Sequence, residues 1–132
     1  MQRLETTFPS DYCNDVMRAV QKVRARCRMT ATDVCFADSS TAHKVQYRGA
    51  VYELAWQIRT RLEILVAEHD VEAVREALVH SLEVVHRVET VIASSTVDDA
   101  VHVPSGRRGD LALENGSKGV LARLARAVAG RR

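Results

Sequence analysis

Glu83 and His86 stand three residues apart, the spacing at which one helix face offers a carboxylate and an imidazole to a metal. Helical di-metal sites need two such pairs and two further inward carboxylates. This chain supplies one pair, with Glu76 and His80 at i,i+4 beside it. His80 and His86 are six apart and fall on opposite sides of a helix. These residues read as a solvated polar face, and no metal ligand set is expected. Nucleophilic chemistry has no local support either. There is no GxSxG elbow, and Cys13, Cys27 and Cys35 sit in no family-type context. Gly106-Arg107-Arg108-Gly109 is basic, but it lacks the strand–loop–helix setting of a phosphate cradle. The expectation is a chain with no catalytic residue and no cofactor, not an enzyme.

The remaining chemistry is basic. Of 132 residues, 19 are Lys or Arg and 17 are Asp or Glu, for a formal net charge of +2. The balance is uneven. Residues 1–101 are mildly acidic, whereas the stretch from 102 onward is basic. A basic tail on an acidic body suits an acidic partner. Arg24, Arg26, Arg28, Arg107, Arg108, Arg123 and Arg126 are therefore the candidates for phosphate contact, should the partner be nucleic acid. Arg24, Arg26 and Arg28 alternate at i,i+2, which spreads them around a helix instead of aligning them. No helix-turn-helix, zinc-finger or RNA-binding signature accompanies them.

Elements that could position such residues read mainly as helices. Ser10 is a candidate N-cap, and Tyr12, Val16, Val20, Val23 and Cys27 follow at spacings of 4, 4, 3 and 4. Residues 30–41 read as a loop or short helix, because no second strand is evident for them to pair with. Over the following residues, Val51, Ala55, Ile58, Leu62 and Leu65 fall at 4, 3, 4 and 3, a heptad-like seam. Tyr52, Leu54, Trp56 and Val66 widen its apolar surface. Gly49 reads as a bend or a close contact. A third helix is expected after Asp70, with Val71, Val74, Leu78, Leu82, Val85, Val88 and Ile92 as its stripe. The short connection favours an antiparallel hairpin over one long rod.

The expected fold class is all-α: an antiparallel helical hairpin or three-helix bundle over 1–93. A flexible linker over 94–117 and a short basic amphipathic helix over 118–132 follow. In architecture alone this arrangement resembles helical export chaperones and helical subunits of transcriptional or cytoskeletal assemblies, and no residue role is carried over from them. The odd number of cysteines and the absence of an apolar leader suggest an intracellular location, cytoplasmic or nuclear. No stretch approaches the roughly 20 apolar residues that span a bilayer, so no membrane span is expected. The expected function is that of a non-enzymatic subunit or adaptor, binding itself or a helical protein partner. The partner-binding residues would be Val51, Tyr52, Trp56, Ile58, Leu62, Leu65, Leu78, Leu82 and Val85, with Trp56 and Tyr52 as exposed anchors.

Overall fold

In Gln2–Phe8, Leu4, Thr6 and Phe8 are buried, while Arg3, Glu5 and Thr7 point the other way. That is the two-residue period of a strand with one face covered. A computed structural model of the chain, which describes residues 1–38, 43–54 and 56–114, makes this segment β1. Helix α1 (Cys13–Val23) follows and buries Val16 and Val20. Then come β2 (Cys27–Phe36), β3 (His43–Tyr47), β4 (Ala50–Leu54) and β5 (Gln57–Val66). Helix α2 (Val71–Val79) continues into a π-helical turn, His80–Val85, before the short strand β6 (Ala93–Thr96).

The chain is thus α+β and not all-α. Among the described residues there is no helical bundle and no coiled coil. Four strands pair antiparallel in the order β2-β5-β1-β6, and β3 and β4 make a separate two-stranded hairpin. A strand order that places β5 between β1 and β2 is the split β-α-β arrangement of ferredoxin-like sheets.

The largest correction concerns residues 42–69, expected as one helix: those described among them form the three strands β3, β4 and β5. In β5 the buried residues are Thr60, Leu62, Ile64 and Val66, every second position. Leu65, half-buried, lies on the opposite face. Leu62 and Leu65 fit a helical seam when only their spacing is read. The alternation fits better once β1 and β2 supply pairing partners on both sides. The turn at Arg48-Gly49 has φ of 51° and 77° at its two central residues, as a two-residue type I′ hairpin requires. Gly49 is therefore a hairpin turn residue and not a helix bend. Residues 27–36, read as the end of a helix and then a loop or short helix, are the edge strand β2.

Both helices lie on one face of the sheet. Leu4, Phe8, Leu62, Ile64 and Val66 from the strands meet Val16 and Val20 of α1 and Val71, Val74 and Leu78 of α2, with Leu82 from the π turn. Helix α1 ends where Arg24 adopts the left-handed conformation, φ 56°. Asp70 precedes α2 as expected of an N-cap, but its side chain makes no cap bond. Its Oδ2 instead accepts from the backbone N–H of Arg26 at 2.9 Å, tying the start of α2 to the entry of β2. Ser10 does not cap α1 either. Its hydroxyl accepts from Thr60 Oγ1 at 2.9 Å.

Within the stretch expected as a linker, β6 runs to Thr96 and residues 100–109 close a hydrogen-bonded turn. The His102 N–H donates to the Arg107 carbonyl at 2.8 Å, and the Gly109 N–H to the Ala100 carbonyl at 3.0 Å. Ala112 and Leu113, in a 3-10 turn over Gly109–Leu113, are buried. The expected basic helix over 118–132 lies outside the described residues.

Candidate partner interface

Strands β2 and β5 outrun β1. The last pair of β1 with β5 is Phe8–Thr60, whereas β2 and β5 stay paired through Val34–Arg59, Cys35–Ile58 and Phe36–Gln57. These last rows form a two-stranded ribbon with no third strand beside it among the described residues. Ile58 has the parity of Leu62 and Ile64, so it points to the helix side of the sheet. Its neighbours there do not cover it: Ile58 is 79% exposed and the adjoining Trp56 64% exposed. Cys35, opposite Ile58, is exposed as well. An exposed isoleucine and tryptophan two residues apart are an apolar patch that a partner can cover.

The other face of the ribbon is built differently. The Arg59 guanidinium lies 4.2 Å above the Phe36 ring, a cation–π contact, and its Nε donates to Gln57 Oε1 at 3.3 Å. Arg59 Nη1 is buried without a hydrogen-bond partner, and the ring face is what it rests against.

This face continues into the side of the sheet that neither helix covers. The pairing register arranges its charges in bands. Arg3 and Arg28 flank Leu65, Glu5 stands directly opposite Glu63, and Arg61 follows between Thr7 and Thr32. Like charges directly opposite across strands are destabilising. Arg61 Nε, at 3.5 Å from Glu63 Oε1, offsets part of that repulsion. The result is a polar, banded sheet surface next to an apolar ribbon.

The expected partner-binding residues do not gather in one place. Leu62, Leu78 and Leu82 fill the core, at 1%, 0% and 2% exposure. Ile58 stands on the ribbon with Trp56 just before its first residue, and Leu65 lies on the open sheet face. Val51 and Tyr52 occupy β4, paired with Gln46 and Val45. Val85 is exposed but sits beyond α2, at the end of the π turn, away from the other surface residues.

Of the candidate phosphate-contacting arginines among the described residues, Arg26 and Arg107 meet on Glu114 and the others lie on separate elements. Arg24 ends α1 and Arg28 lies on β2. Arg26 pairs with Asp70 at 3.7 Å and with Glu114 at 3.5 Å, and Arg107 takes the other oxygen of Glu114 at 3.6 Å. Arg108 pairs with Asp99, its Nε donating at 3.0 Å. Arg123 and Arg126 lie outside the described residues. The expected polar pair Glu83 and His86 also separates in role: His86 stacks on Tyr12 with ring centroids 4.1 Å apart, and its Nε2 lies 3.2 Å from Asp15 Oδ2. Among the described residues no cluster of three or more metal-ligating side chains occurs. No helix among them is long and apolar enough to cross a membrane.

The Arg108 hydrogen bond holds the Asp99 carboxyl below the ordinary carboxylate value. A lowered folded-state value means that this contact stabilises the turn at all pH above the ordinary carboxylate range and is lost as pH falls through the lowered value. Arg108→Ala should move the Asp99 titration up toward the ordinary range, with the backbone N–H groups of Ala100 and Gly109 still holding it down in part. Carboxyl-carbon NMR shifts followed against pH would read this directly, and an unchanged midpoint would contradict the pairing.

Sequence reasoning missed β1, the open sheet face and the Phe36–Arg59 contact. The signal for the first two was an imperfect alternation over 2–8 and 60–66, interrupted by Thr6 and Leu65.

No protein-family model matches the chain. The chain is similar to the nitrogen regulatory protein P-II of Rhizobium meliloti (strain 1021), at 24% identity over 109 residues that cover 83% of this chain and 96% of that protein.

Proposed function

We propose that this chain is a non-enzymatic regulatory subunit that acts by binding protein, either another copy of itself or a different chain, through the ribbon and the open sheet face. The observation that carries the reading is the pair Trp56 and Ile58, large apolar side chains held in the open beyond the helix layer. The similarity along most of the chain to a protein named as a nitrogen regulatory protein supports a regulatory role.

A nucleic-acid-associated regulator is the alternative from charge. Arg26, Arg107 and Arg108 already face carboxylates, which disfavours it. Binding partners captured on the full chain at low salt should stay bound as salt is raised. Phosphate contacts would be lost steeply with salt, since each one releases counterions, whereas apolar contacts would not. Loss of all captured material at moderate salt, with nucleic acid among it, would favour the alternative.

A further inference from the structure

A groove of about 540 Å³ runs between α1 and the α2–π segment, on the side of the helices away from the sheet. Its floor exists because the facing side chains are small: Ala19 comes from α1 and Ala77 from α2. The π turn over His80–Val85 holds one more residue per turn than an α-helix would, a feature found often at functional positions. It places Val85, 58% exposed, at one end of the apolar floor. The same end is fixed by His86, stacked on Tyr12 and facing Asp15 at 3.2 Å.

The α1 rim is positive, with Arg18 and Lys22, and His80 stands on the opposite side. Asp15 is the one carboxylate among the lining residues, and His86 Nε2 lies 3.2 Å from it. Arg18 also reaches Asp15, at 4.0 Å, but its side chain remains 72% exposed. A second depression beside the first is lined by Arg18, Gln21, Lys22 and Arg24, so the positive rim extends along α1. An apolar floor beneath an open, cationic rim fits an extended acidic segment better than an enclosed small molecule.

We propose that this groove docks an acidic peptide segment of a partner protein. One aliphatic side chain sits on Ala19, Ala77 and Val85, and flanking carboxylates meet Arg18 and Lys22. Neither the ribbon nor the open sheet face takes part, so the groove stands or falls independently of the function proposed above.

The test uses the full chain and a short fluorescein-labelled peptide of glutamates around two leucines two residues apart, which share one face of an extended chain, read by fluorescence anisotropy. Saturable binding is expected. It should weaken about tenfold or more in Lys22→Glu combined with Arg18→Glu, as expected when like charges replace a complementary pair. Ala77→Trp, which fills the trough, should weaken it similarly. Both rim residues are exposed, so the charge variant should keep the native circular dichroism. It remains decisive if Ala77→Trp fails to fold. Substituting Ile58 or Trp56 should leave peptide binding unchanged. Equal binding of a peptide with serines for the leucines would overturn the proposal, because the floor would then be unused. Unchanged binding by the charge variant, or preference of the same residues for a DNA duplex over the peptide, would overturn it as well.

Discussion

Leu62→Asp is expected to leave the chain largely unfolded, while Leu65→Asp leaves it folded. Leu62 is 1% exposed and faces the helices from the middle of β5. Removing it forfeits roughly 1.5–3 kcal/mol of apolar burial and leaves a cavity. Placing a carboxylate there adds a desolvation cost of a further few kcal/mol. Together these approach the roughly 5–15 kcal/mol that holds a domain folded. Leu65 lies on the uncovered face between Arg3 and Arg28, where an added carboxylate meets two guanidinium neighbours. Its substitution should cost about 1 kcal/mol, the ordinary effect of a point change. Circular dichroism and urea midpoints of the two variants decide the matter. A helical seam would make them equally damaging, because it puts both residues on one stripe. Equal loss would therefore contradict the sheet.

Ile58→Asp with Trp56→Ser should do the reverse. Both residues are exposed and lie outside the core, so stability should stay within about 0.5 kcal/mol of the parent chain. Binding should suffer far more. Truncating a tryptophan anchor in an interface commonly costs about 2 kcal/mol or more, close to a thirtyfold loss of affinity. A matched urea midpoint with a large loss of association is the expected signature. A lowered midpoint with association intact would mean that the ribbon is structural and not a docking surface.

How much of this was legible before the structure depended on which period the residues obeyed alone. Val16 and Val20 obey only the helical period, and α1 lies where that period puts it, although it ends at Val23 where the stripe ran on to Cys27. Asp70 and the stripe Val71, Val74 and Leu78 mark α2 equally well. Residues 57–66 obey both periods, because Leu65 adds an apolar side chain to the wrong face of an otherwise alternating strand. Spacing alone cannot arbitrate such a segment. Pairing does, and pairing is a long-range property: the partners of β5 lie in residues 2–8 and 27–36. Strand β1 was hidden because Thr6 takes a buried position that an apolar count overlooks. Arg48-Gly49 carried a local hairpin signal, but an arginine is a less familiar occupant of that turn than Asn or Asp.

The surface was legible in part. Trp56 and Ile58 stood out by type, yet they shared a stripe with Leu62, Leu78 and Leu82, which the fold sends to the interior. The groove between α1 and α2 could not be read at all, since Ala19 and Ala77 acquire meaning only when two helices bring them face to face.

Differential capture tests the central claim most directly. The full chain and its Ile58→Asp, Trp56→Ser variant, each tagged, would be used as bait in the native cell, and the retained proteins, including untagged copies of the chain itself, quantified by mass spectrometry. The account predicts at least one protein held by the parent chain at moderate salt and lost from the variant, with both baits equally folded. Retention of the same proteins in the same amounts by both would contradict it.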